Sequence, residues 1–111
     1  MSKFAECMKQ YKAQNAEIGL GLSEALLTGV AKGLGPSIYN ADSSKVSGSD
    51  KSELDRVKNN FLIKKLGLSD GPALDAAIAE VMEKMGSSNR NKYRAVVYAL
   101  LAVKFGKEGN F

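Results

Sequence analysis

The chain has 111 residues, of which 44% are hydrophobic and 25% charged, a balance that suits one globular core and excludes a wholly disordered polypeptide. Histidine and tryptophan are absent and Cys7 is the sole cysteine, which excludes an intrachain disulfide, a cysteine-rich zinc site and every mechanism that needs imidazole. The formal net charge of +4 is uneven, with five basic residues and one acidic over 86–111 against five and four in the first 48; this permits nucleic-acid binding without requiring it.

In chain order, Phe4, Cys7, Met8, Tyr11 and Ile18 recur at helical steps, so the spacing predicts a first helix over about 3–17 with one side on a core. Gly19 and Gly21 interrupt it. Ser23 then offers an N-cap oxygen, and Leu22 and Leu27 occupy the two positions of a hydrophobic staple, which predicts a second helix over about 24–32 that buries Leu26, Leu27 and Val30. Gly33 and the Gly35-Pro36 pair stop it. Residues 34–48 read as a long loop that Ile38, Tyr39 and Val46 are able to pin to the body. Asp50 and Glu53 have capping-box spacing for a third helix over about 51–66, with Leu54, Val57, Phe61 and either Lys65 or Leu66 facing inward.

Gly67 closes that helix, and the Ser69-Asp70-Gly71-Pro72 segment is a compact stop and restart, because proline is tolerated in a first helical turn. The fourth helix has the clearest period in the chain: Leu74, Ala77, Ile78, Val81 and Met85. Gly86 ends it, Ser87 or Ser88 can cap the next, and a fifth helix is expected over about 89–105. Between Arg94 and Lys104 that helix is apolar almost all round, so it should run through the centre of a bundle. Gly106 to Phe111 forms a short polar tail ending in one phenylalanine. No segment supports a strand or a repeat to the same degree. The predicted fold class is all-α, a single compact domain over 1–111 with about five short to medium helices.

The N-terminal residues turn polar at once, without the apolar stretch of a secretory signal. The longest apolar run, Ala95 to Val103, has nine residues, against roughly twenty needed to span a bilayer. A cytoplasmic protein with no membrane partner is expected. Gly19-Leu20-Gly21 and Gly33-Leu34-Gly35 each lack the third glycine and preceding strand of a dinucleotide fingerprint, so no cofactor is implied. Cys7 reads as a small buried hydrophobe with no histidine to activate it. Asp50, Glu53 and Asp55 read as favourable charge at a helix start, and Glu80 with Glu83 as a solvated face; neither group implies a metal. Asp42, in the long loop, is able to contribute to a composite site with the Asp50 group or Glu80.

The chief local anomaly is the basic stretch Ser87-Ser88-Asn89-Arg90-Asn91-Lys92-Tyr93-Arg94. Cations in a first helical turn oppose the partial positive charge already there, at a cost of a few tenths of a kcal/mol up to about 1 kcal/mol each. One explanation is an anion site built from free amides, Ser87, Ser88, Arg90, Lys92 and Arg94, suited to a phosphate of nucleic acid or of another phosphorylated ligand. The other is that these side chains meet carboxylates of the third or fourth helix. A second basic group, Arg56, Lys64 and Lys65, is the candidate nucleic-acid contact, set against ordinary solvation.

The segments Gly33 to Asp42, Glu53 to Phe61 and Ser87 to Arg94 together give the chain a resemblance, over nearly all of its length, to a family of small bacterial proteins known only as a domain of unknown function. The resemblance implies a bacterial origin and a single domain, and brings no activity, ligand or catalytic residue. The resulting expectation is a noncatalytic helical interaction protein with another macromolecule, such as a protein, as its partner. The alternatives are an accessory nucleic-acid-binding domain, separable by a steep loss of affinity with salt, and a carboxylate-dependent enzyme. Replacing Leu100 by Ala is expected to cost about 2 to 4 kcal/mol in thermal or urea unfolding; unchanged stability would contradict the central placement of the fifth helix.

Overall fold

Apolar stripes at helical spacing need partners on which to close, and five helices supply them for one another. The computed structural model describes residues 3–40, 44–47, 50–86, 92–107, 109 and 111. Among these, α1 is Lys3–Ile18, α2 Glu24–Leu34, α3 Lys51–Arg56, α4 Pro72–Met85 and α5 Arg94–Lys104. A 3-10 turn, Gly35–Tyr39, follows α2, and a π-helical segment, Val57–Lys65, continues α3. There is no sheet among the described residues; Lys45 and Tyr93 form an isolated antiparallel bridge. The fold is all-α.

Every residue from Ala95 to Ala102 is buried, so α5 is the central helix, sheathed by α2, α4 and α1. It starts later than the sequence pattern suggests, at Arg94 rather than near residue 89. Tyr93 has extended backbone angles (φ −63°, ψ 130°). The chain there pairs with the long loop: the Val46 amide donates to the Lys92 carbonyl at 2.7 Å and the Arg94 amide to the Ser44 carbonyl at 2.8 Å. Those bonds occupy backbone groups that a longer helix would have used internally. Ile38 and Val46 are buried, so the loop is fastened to the core there, whereas Tyr39, the third residue the sequence offered, is 44% exposed.

Local signals set the other helix ends. Ser23 caps α2, its hydroxyl accepting from the Leu26 amide at 3.1 Å, and the staple residues Leu22 and Leu27 are both buried. The α1–α2 turn is held by Asn15, whose side chain donates to the Leu22 carbonyl at 2.8 Å and accepts from the Leu22 amide at 2.9 Å. Gly19 and Gly21 both adopt positive φ in that turn (74° and 70°), a region open to glycine at little steric cost. At α3 the expected capping box is half formed. Asp50 accepts from the Ser52 amide at 3.0 Å, whereas the Glu53 carboxylate turns away to two arginines.

The π-helical segment changes which residues meet the core. Val57, Phe61, Leu62 and Leu66 are buried while Lys65 is exposed, a spacing of four or five that fits the wider turn rather than the α-period. The Leu66 amide accordingly donates five residues back, to the Phe61 carbonyl, at 2.9 Å. Phe61 stacks on Tyr98 of α5 with ring centroids 4.0 Å apart, and Phe111 lies 6.0 Å from Phe61 on a roughly parallel plane.

The chain's last residue is therefore docked, and α2 is shaped to receive it. A Cβ placed on Gly29 would lie 2.9 Å from the Phe111 Cβ and 3.0 Å from its carbonyl carbon. Gly29→Ala is expected to destabilise the protein by about 1 to 3 kcal/mol, as overpacking does where backbone blocks the added methyl. Urea denaturation measures it; wild-type stability in the variant would show that the Phe111 contact contributes nothing.

Candidate binding cleft

Lys3, Glu6, Cys7, Gln10 and Tyr11 fall on one stripe of α1 because residues three, four and seven apart share a helix face. The 3-10 turn brings Ile38 and Tyr39 up to that stripe, and the Lys45–Tyr93 bridge closes the far side. The result is a cleft of about 350 Å³, within the range of small-ligand sites. Tyr11 and Tyr93 meet edge to face, with centroids 5.5 Å apart and planes at 62°, an arrangement favoured by the aromatic quadrupoles. The Lys45 ammonium lies 6.0 Å from the Tyr93 centroid, at the limit of a cation–π contact.

Tyr11 is the unusual member of this wall. It is 1% exposed, and its hydroxyl, sealed from solvent, has the Cys7 thiol as its polar neighbour and no other hydrogen-bond partner. A buried hydroxyl left unpaired costs about 1 to 3 kcal/mol, and a native fold holds only a few such groups. Burial raises the Tyr11 phenol well above its ordinary pKa, and the neighbouring Cys7 thiol followed by the Tyr93 and Tyr39 phenols push it in the same direction. It stays a protonated donor throughout the physiological range. The half-buried Cys7 thiol is itself directed to the Ile38 carbonyl, at 3.8 Å.

Of the residues that the sequence singled out for anion binding, Ser87, Ser88 and Arg90 lie outside the described residues, as does the loop carboxylate Asp42. Lys92 is only 5% exposed. Arg94 is engaged inside the fold: its guanidinium pairs with the Glu53 carboxylate, donates to the Tyr98 hydroxyl at 2.9 Å and reaches the Lys45 carbonyl at 3.4 Å. Glu53 also receives Arg56, at 3.1 Å. Arg56 thus shares a carboxylate with Arg94, Lys64 is exposed, and the Lys65 ammonium stands 5.7 Å from the Phe111 centroid. None of these three lines the tyrosine cleft.

Lys58 bridges Asp70 at 2.9 Å and Asp75 at 3.1 Å, which raises the lysine pKa and lowers that of Asp70. Glu80 pairs with Lys104 at 2.7 Å. Among the described residues no group of three or more histidine, cysteine, aspartate or glutamate side chains could hold a metal ion, and no helix is long and apolar enough to cross a membrane.

Sequence reasoning passed over the cleft because its signal is split among three segments. Cys7 and Tyr11 belong to the apolar stripe of α1, where they read as core. Tyr39 and Lys45 sit in the long loop, and Tyr93 in the turn before α5. The separable hint was the number of polar-tipped aromatics among so few aromatics: four tyrosines against four phenylalanines and no tryptophan, three of those tyrosines meeting at this wall.

A family model described as "Protein of unknown function (DUF2853)" matches residues 3–109. No curated protein gives a match.

The Glu53–Arg94 pair holds the loop, α3 and the start of α5 together beside the cleft. Its two side chains are 10% and 13% exposed, so removing the cation strands a largely buried carboxylate. Arg94→Met is expected to cost about 3 kcal/mol in urea unfolding and to loosen the Ser44–Arg94 backbone contact, seen as faster amide exchange at Arg94. Retention of full stability would show the pair to be dispensable.

Proposed function

Because the chain belongs to the DUF2853 family, whose description assigns no activity, the cleft is the guide to function, and we propose that this protein is a noncatalytic binding domain whose macromolecular partner inserts one side-chain-sized group between α1, the 3-10 turn and the Lys45–Tyr93 bridge. The observation that carries this reading is the open cleft of about 350 Å³ itself, lined by three tyrosines and two lysines. Such a wall offers donors and flat apolar surface to an entering group.

Two further features support binding rather than chemistry. The residues around Tyr11 are mainly donors, with Lys3, Lys45, Gln10 and the other tyrosines outnumbering the single carboxylate, Glu6. Two of the carboxylates available for acid–base catalysis are engaged elsewhere, Glu53 by two arginines and Glu80 by Lys104. The rim also exposes Tyr39, one of the few large hydrophobic residues left 44% accessible, in keeping with the enrichment of tyrosine at recognition surfaces.

Tyr11→Phe separates the two roles of the residue. Removing an unpaired hydroxyl while keeping the ring is expected to leave stability unchanged or to raise it by about 1 kcal/mol, read as an equal or higher Tm. A loss larger than about 1 kcal/mol would mean that the hydroxyl is satisfied within the fold; the binding reading itself fails if a fragment titration followed by NMR gives no saturable shift at Cys7, Tyr11, Tyr39 or Tyr93.

A further inference from the structure

A second pocket, of about 190 Å³, opens between α2 and the π-helical segment and shares no residue with the tyrosine cleft. Its walls are apolar for local reasons. Val30 and Leu34 lie four apart on one face of α2, the wide turn presents Phe61 to the Tyr98 ring, and the Phe111 ring lines the pocket beside them. Gly33 leaves part of the wall low, since a Cβ there would meet nothing within 4 Å. Two polar side chains stand at this apolar slot, Asn60 and Lys65, both exposed and both from the π-helical segment. The Lys65 ammonium is held over the Phe111 ring, 5.7 Å from its centroid. Lys65 has no ion-pair partner among the described residues, and no acidic side chain lines the pocket.

We propose that this pocket binds a small free monocarboxylic acid with a single-ring body, the ring lying among Phe61, Tyr98 and Phe111 and the carboxylate meeting Lys65 and Asn60. An apolar cavity of about 150 Å³ holds benzene, so about 190 Å³ takes one ring with a compact head group. Aromatic walls add offset and edge-on contacts to the burial of such a ring. An ammonium and an amide at one mouth supply donors for both oxygens of a carboxylate, and a charged acceptor makes the stronger bond to them. Because Asn60 and Lys65 are exposed, the acid group reaches them from solvent without any opening of the fold. The size of the pocket also selects a free molecule over the end of a partner chain. In a polypeptide a ring and a carboxylate occur together only at a C-terminal aromatic residue, whose backbone amide adds bulk beyond the ring and its acid group.

The test is an NMR titration of the isotope-labelled full chain, at constant ionic strength and neutral pH, with benzoate, with its neutral isostere benzamide, and with N-acetylphenylalanine, which reproduces the end of a polypeptide. Benzoate should give saturable shifts at the Val30, Gly33, Phe61 and Lys65 amides. Benzamide and N-acetylphenylalanine should each bind at least about fivefold more weakly. Lys65→Met, which keeps an apolar stem, should weaken benzoate about fivefold. Gly33→Leu should fill the open space at Gly33 and abolish the shifts without lowering the Tm. The proposal is overturned if benzoate gives no saturable shifts at these amides, if benzamide binds as tightly, if Lys65→Met keeps wild-type affinity, or if a Gly33→Leu chain of undiminished Tm still binds. N-acetylphenylalanine binding as tightly as benzoate overturns it in favour of a partner's terminus. Shifts confined to Cys7, Tyr11 and Tyr93 would overturn it while leaving the tyrosine cleft standing as a binding site.

Discussion

A helix that is apolar on every side has to be sheathed on every side, and that requirement organises this protein. From Ala95 to Ala102 α5 leaves no residue for water, so α2, α4 and α1 must pack around it together. Alanines at 95, 99 and 102 let neighbours approach closely, while Val96, Val97, Leu100 and Leu101 fill the spaces between them. The remaining elements are disposed around this axis, and the polar residues at its two ends determine how the chain enters and leaves it.

The entry is the more demanding end. An arginine opens α5, where the helix dipole disfavours a cation, and Glu53 resolves the conflict by crossing from α3 to pair with it. The same carboxylate gathers Arg56, and Arg94 reaches the Lys45 carbonyl and the Tyr98 hydroxyl. A charge problem created by one helix start thus fixes the position of the long loop. Lys45 and Tyr93 are placed by that network, and they form one side of the cleft. The opposite side is a plain helical stripe of α1. The fold and the cleft meet at residues 44–46 and 93–94, where the backbone is tied down and the side chains of Lys45 and Tyr93 line the opening.

The helices were legible in the sequence wherever periodicity and caps agreed. Ser23 with Leu22 and Leu27 marked α2, and Pro72 with Leu74, Ile78 and Val81 marked α4, because short-range rules suffice there. Two features were hidden. Leu62 is buried because the segment after Arg56 winds with a wider turn, and a pattern search at the α-period cannot see a register that tertiary packing imposes. The late start of α5 arises from bonds between Arg94 and Ser44 and between Val46 and Lys92, pairs separated by about half the chain. The cleft was hidden for the same reason: its residues are contributed by three segments whose meeting is a property of the fold.

The wide-turned segment after α3 is a junction between parts of the fold distant in sequence. A π-turn is a rare arrangement, and in Val57–Lys65 it presents Phe61 to Tyr98 of α5 and to Phe111, while one turn earlier Lys58 reaches Asp70 and Asp75 at the start of α4. The coil thus ties the Phe111 ring to the same body as the first turn of α4, and its girth sets the spacing between those two attachments.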